Sequence, residues 1–161
     1  VETIEHAVHL GHLLPEFTLV YSSMFPSDCA AYKKRGLLPA DYKPLNDYQK
    51  HQLRDQFESG KLRRVIATDV WATGVDFEQL NLLVRADDRD SDIVDVQGPG
   101  RVSRVYVSPD GVKKEFGEVI DCMDTFDPTF YRKSMGRRNS YKLLGWEQNW
   151  NDAQRSWRDE K

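Results

Sequence analysis

The chain has 161 residues, enough for one domain with a buried core and a short appended segment. With 39% hydrophobic and 30% charged residues it has an ordinary globular composition; no apolar run approaches the roughly 18 residues that span a bilayer, and no signal-peptide pattern opens it. A formal charge of −3 argues against bulk electrostatic coating of nucleic acid, so any such binding rests on local patches.

Val1-Glu2-Thr3 runs directly into a helical pattern in which Ile4, Ala7, Val8 and Gly11 recur, with Thr3 as N-cap and Glu5 in the first turn. A helix so near the start normally follows a strand, so a truncated first strand is expected. Phe17 to Tyr21 reads as a short buried strand. Ser22 to Asn46 holds Pro39, Pro44, Gly36 and the basic run Lys33-Lys34-Arg35. It is expected to be a solvated loop or insertion, with a short helix around Asp28 to Lys34; a strand-separating or partner-binding element is the alternative. Asp47 is expected to cap a helix through about Ser59, with Tyr48, Leu53 and Phe57 inward and Gly60 stopping it.

Arg64 to Thr68 and Leu80 to Arg85 read as strands on either side of a turn-rich segment, Asp69 to Phe77. The acidic stretch with Asp87, Asp88, Asp90 and Asp92 reads as a solvated loop that caps the next helix, which carries Ile93, Val94 and Gln97 toward Arg104. Pro109-Asp110-Gly111 predicts a turn and Gly117 to Met123 a strand. Asp127-Pro128 predicts an N-cap with proline at the first helical position, opening a helix to about Leu144. Strands alternating with helices predict an α/β domain with a largely parallel sheet. The two cysteines, Cys29 and Cys122, lack metal-site or disulfide spacing and read as reduced thiols of an intracellular protein.

Two segments carry chemistry. In the first, the strand at Val65 ends in Thr68-Asp69, and a turn through Gly74 leads to Asp76 and Phe77. Ligands collect beyond the carboxyl ends of strands in such sheets. Thr68 offers a hydroxyl, Gly74 a close backbone approach, and Asp76 a carboxylate suited to ribose hydroxyls. A routine strand-to-loop turn explains the same residues. The second segment is Gln97-Gly98-Pro99-Gly100-Arg101-Val102-Ser103-Arg104, whose positions 97, 101 and 104 would share one helical face. Two guanidinium groups there suit phosphate oxygens, and a solvated helix face is the competing reading.

Together the segments resemble motifs V and VI of superfamily 2 helicases. Gln97, Gly100, Arg101 and Arg104 fill every fixed position of Gln-x-x-Gly-Arg-x-x-Arg, and Ala67 to Phe77 resembles motif V. Phe57-Glu58-Ser59-Gly60 matches the Phe-x-x-Gly that precedes that strand, and Thr3 to Leu14 resembles the helix after motif IV. Val119-Ile120-Asp121, Asp124, Phe130, Arg138 and Tyr141 resemble the closing strand and helix of the branch with UvsW-like phage helicases and XPB-like proteins. The resemblance spans about residues 1–145 and implies the second, C-terminal RecA-like domain of an ATP-dependent DNA helicase or translocase. An RNA-directed motor shares the same chemistry, and an interaction module that keeps the fold without a motor is the alternative.

By this resemblance Arg104 is the arginine finger, Arg101 a second γ-phosphate contact, and Gln97 their orienting group. Gly74, Asp76 and Gly100 would help hold the nucleotide, and Thr68, Ser22 and Arg64 would contact the nucleic-acid backbone. ATP with Mg²⁺ is the implied cofactor, and this chain is expected to supply no metal ligand. No Gly-x-x-x-x-Gly-Lys-Ser/Thr loop occurs in it. A first RecA-like domain upstream would hold the metal, and this chain alone is expected to be inactive. A cytoplasmic setting, in a bacterial or phage-infected cell, and no membrane association are implied.

One departure from the motif is Pro99, which is expected to kink or restart the helix. Near the end, Arg132, Lys133, Arg137, Arg138 and Lys142 form a basic strip that reads equally as a phosphate track or a solvated face. Residues 146–161 read as an aromatic amphipathic helix, with Trp146, Trp150, Ala153 and Trp157 packing on a domain in preference to stacking on bases.

Overall fold

The computed structural model describes residues 1–68, 71, 77–87, 99–108, 110–125 and 127–149. The chain divides into two compact units, Val1–Val75 and Asp76–Lys161, and both contain parallel strands and helices, as expected of an α/β protein.

The first unit opens with α1 (Ile4–Leu13), capped as expected by Thr3, whose hydroxyl accepts from the His6 N–H at 3.1 Å. Ala7 and Val8 are its buried face, and α1 lies against both β1 (Thr18–Val20) and β2 (Val65–Ala67). Those strands pair in parallel, Thr18 with Val65 through Val20 with Ala67. A side chain at Gly11 would run into Leu19, so glycine lets α1 sit close on β1.

A parallel pair needs a crossover, and here it carries two helices, α2 (Pro26–Lys34) and α3 (Asp47–Glu58). The expectation of a solvated loop at 22–46 fails. Met24, Cys29 and Leu38 from that stretch form one buried cluster with Val8 and Tyr21. The Tyr21 hydroxyl also accepts from the Leu45 N–H at 3.1 Å and bonds the Tyr42 hydroxyl at 2.8 Å. Scattered apolar residues without a clear period thus complete the core of this unit.

The cap of α3 is Asn46, one residue before the expected Asp47. Its side chain accepts from the Gln49 N–H at 2.8 Å while Gln49 returns a bond to the Asn46 N–H at 3.0 Å. Tyr48 is 71% exposed, contrary to expectation; Phe57 is buried against Trp71, ring centroids 5.5 Å apart. Gly60 ends the helix at φ +72°, its N–H bonding the Phe57 carbonyl at 3.0 Å.

In the second unit, β3 (Leu82–Arg85) pairs in parallel with β4 (Glu118–Asp121). Between them, residues 99–102 are helical, and Val107 bridges Lys113 in a hairpin whose turn holds Gly111 at φ +80°. The last helix, α4 (Pro128–Leu143), begins as the sequence predicts. The Asp127 carboxylate accepts from the Thr129 and Phe130 N–H groups at 2.7 and 3.4 Å, with Pro128 following the cap. Residues 146–149 are not helical. Trp146 instead stacks on Tyr141, centroids 5.5 Å apart and planes 19° off parallel. Trp150, Ala153 and Trp157 lie outside the described residues.

Candidate functional site

In the first unit the polar groups gather past the carboxyl ends of β1 and β2. Thr68 follows β2 directly, 8% exposed, and its N–H extends the ladder to the Val20 carbonyl at 3.0 Å. Ser22 stands two residues past β1 and is exposed. The register that pairs Val20 with Ala67 therefore brings Ser22 and Thr68 to the same ladder end. Arg64 sits at the opposite end, before β2; its carbonyl accepts from the Thr18 N–H, and its exposed side chain lies 3.9 Å from Glu16. The structure thus groups two of the three expected backbone contacts and separates the third.

Sequence reasoning missed Lys50. Its ammonium bonds the Ser22 carbonyl and the Asp47 carboxylate, the latter at 2.9 Å, so a cation stands at the same ladder end. The capping box at Asn46 and Gln49 places position 50 in the first turn of α3. The neighbouring ammonium holds the Asp47 carboxyl below its ordinary range, first through the hydrogen bond and then through charge.

In the second unit, Gly100 and Arg101 belong to the helical residues 99–102, while Arg104 lies beyond them on a bend. The helical face expected to join Arg101 to Arg104 therefore ends before Arg104. The Ser103 hydroxyl turns back to the Gly100 carbonyl at 2.9 Å, and the chain leaves the helix there. Arg101 is half-buried, Arg104 is exposed, and Val102 between them is 1% exposed. Pro99 is fully buried. Gln97, Gly74 and Asp76 lie outside the described residues.

A second group of charges was not anticipated. Arg85 ends β3 and Asp121 ends β4, and α4 presents Ser134, Arg137 and Tyr141 to them. Arg137 lays its guanidinium edge along the Asp121 carboxylate and bonds the Cys122 carbonyl at 3.0 Å and the Ser134 hydroxyl at 3.2 Å. The Tyr141 hydroxyl donates to Asp121 at 2.7 Å and accepts from Arg85 at 2.8 Å, whose other nitrogen meets Asp87 at 2.9 Å. Burial works against the Arg137 charge, but the hydrogen bonds and charge of Asp121 more than offset it and raise its pKa. Burial, then the Asp121 charge, pushes the Tyr141 phenol above its ordinary value. Arg137 therefore does not belong to the surface strip of Arg132, Lys133, Arg138 and Lys142 proposed from sequence, because its charge is spent inside the unit.

Among the described residues no group of His, Cys, Asp and Glu is placed to hold a metal ion. No helix among them is long and apolar enough to cross a membrane. The first unit offers hydrogen-bonding groups and a cation past β1 and β2, and the second offers the half-buried Arg101 and, on the bend after it, the exposed Arg104.

Residues 40–106 match the helicase conserved C-terminal domain family. The matched span is somewhat under half of the chain and includes both 67–77 and 97–104. Over 74 residues the chain is 34% identical to the ATP-dependent RNA helicase FAL1 of Kluyveromyces lactis, which covers 44% of this chain and 19% of that helicase. The chain thus spans about a fifth of the length of the curated relative it matches.

Among solved structures, the C-terminal domain of the DEAD-box protein Dbp5 is similar at 16% identity and a TM-score of 0.43, covering 89% of this chain and 81% of that one. A Saccharomyces cerevisiae Dbp5 variant bound to RNA and ADP BeF3 is similar at 15% identity and a TM-score of 0.44, covering 84% and 35%. These superpositions are loose, and the α/β assignment rests on the chain's own parallel strands.

Proposed function

We propose that this chain is the second motor domain of an ATP-dependent, superfamily 2 helicase acting on nucleic acid, with residues 1–145 as the domain proper. The observation that carries the reading is the helicase C-terminal match over 40–106, which encloses the sequence Gln97-x-x-Gly100-Arg101-x-x-Arg104. Arginines in that pattern stabilise charge on a transferring phosphoryl group.

In this reading Arg104 meets the γ-phosphate as the arginine finger, Arg101 makes a second contact and Gln97 orients the pair. Gly74, Asp76 and Gly100 hold the nucleotide. Ser22 and Thr68, with Arg64, contact the strand backbone. A first RecA-like domain supplies the phosphate loop and the Mg²⁺ ligands, so this chain contributes half of the ATP site. Cycles of nucleotide binding and hydrolysis then change the grip on the strand. The 34% identity to an RNA helicase favours RNA as the first substrate to try; DNA, favoured by the resemblance of residues 119–141 to phage-type helicases, is the second.

The test is ATP hydrolysis by the full-length protein with RNA, with DNA and without either, beside this chain alone and an Arg104→Ala variant. The expected result is a silent fragment, a full-length enzyme stimulated by RNA, and a variant slowed by about 10³ or more. Stimulation by DNA alone would reverse the substrate assignment and leave the motor intact. A full-length protein without hydrolysis on any nucleic acid would overturn the reading in favour of an interaction module.

A further inference from the structure

Gly117 stands immediately before β4, and its backbone lies against the buried carbonyl of Val102. It is not among the glycines with positive φ, so space and not backbone conformation is what excludes a side chain there. A Cβ at 117 would fall 2.6 Å from the Val102 carbonyl carbon and closer still to its oxygen and Cγ1. Backbone cannot swing aside as a flexible side chain can. Val102 is the residue that joins Arg101 to the Ser103-Arg104 bend.

The far end of β4 is equally fixed. Asp121 is tied to Arg137 and Tyr141 of α4, and the strand between is paired with β3 along its length. A four-residue strand therefore runs from a buried charge network to the underside of the arginine-bearing turn.

We infer that Gly117 is a positioning residue, which by its backbone contact with Val102 sets where Arg101 and Arg104 stand. The inference rests on the helicase reading of those two arginines. Phosphoryl-transfer catalysis depends on guanidinium placement, and a displacement of about 1 Å can cost on the order of 10²-fold in rate. Gly117→Ala forces the two backbones apart at this contact without altering any polar group.

The experiment measures kcat and KM for ATP at saturating nucleic acid, per folded molecule, in full-length Gly117→Ala and Val102→Ala, with Arg104→Ala as control. Val102→Ala thins the same contact from the other side and adds no atoms. The expected result is a kcat lowered roughly 10- to 100-fold by Gly117→Ala and roughly 3-fold or more by Val102→Ala, with KM and nucleic-acid affinity within about twofold. Wild-type kcat per folded molecule in both variants, with only the melting temperature lowered, would overturn the inference while a slowed Arg104→Ala kept the helicase reading. Should Gly117→Ala fail to fold, Val102→Ala decides by the same criterion. An Arg104→Ala protein with wild-type kcat would overturn both.

Discussion

Arg137 and Asp121 meet edge to edge inside the second unit, Nε 2.9 Å from one carboxylate oxygen and a terminal nitrogen 2.9 Å from the other. The arginine side chain is 1% exposed and the aspartate 10%, so neither charge has water to fall back on. Around them the Tyr141 hydroxyl donates to Asp121, and the Ser134 hydroxyl and the Cys122 carbonyl accept from Arg137. This pair seats α4 on the end of β4.

Asp121→Ala is accordingly expected to cost about 3–5 kcal/mol, because it leaves a buried guanidinium uncompensated. Replacing both partners, Asp121→Leu with Arg137→Met, is expected to cost less than the single change. Urea unfolding of the two variants and the wild type checks the order. A double variant less stable than Asp121→Ala would show that the pair is not what the buried charge requires.

The raised pKa of the Tyr141 phenol sets a pH dependence. Its folded value lies above the ordinary 10.0, so the folded state holds the proton more tightly than the unfolded chain. The associated stability is fully present below about pH 10 and is lost as pH rises toward the folded value. Tyr141→Phe removes the ionisable hydroxyl. Wild type should therefore lose stability more steeply than Tyr141→Phe above about pH 10, as read from melting temperatures between pH 8 and 11. Parallel curves would contradict the raised pKa that burial and the Asp121 charge produce.

The capping box of α3 separates two neighbouring residues. Asn46→Ala is expected to cost about 1 kcal/mol, since it removes the side-chain acceptor of the Gln49 N–H. The Asp47 side chain is 91% exposed and pairs with Lys50 at the surface, so Asp47→Ala should cost clearly less than Asn46→Ala. Equal losses in denaturant midpoints would mean that the cap has been misassigned.

The stretch from Ser22 to Asn46 gives the sharpest contrast between a solvated loop and a packed element. Leu38 is 6% exposed within the cluster of Val8, Tyr21, Met24 and Cys29. Leu38→Ala should then destabilise the protein by about 2–5 kcal/mol. A solvated position would change stability by no more than about 0.5 kcal/mol.

Local signals were legible wherever one or two adjacent residues decide the backbone. Thr3, Gly60, Gly111 and Asp127-Pro128 all do what their chemistry predicts, because caps and left-handed turns depend on the nearest few bonds. Tyr48 and the Ser22–Asn46 stretch were misread because burial depends on what arrives from elsewhere in the chain. Lys50 escaped notice for the same reason, since its partner Ser22 lies 28 positions away.

The order of residues by itself determined the alternation of strands and helices, the helix caps, and the arginine pattern at 101 and 104 on which the helicase reading stands. Only the tertiary structure decided which charges remain at the surface. Arg132 and Arg137 are alike in sequence, both basic positions on α4. One is exposed and the other is closed against a carboxylate, because burial of a charge is permitted only where a distant partner meets it. No periodicity in α4 announces that partner, and the close approach of Gly117 to Val102, 15 residues apart, is equally invisible until strand and turn are in place.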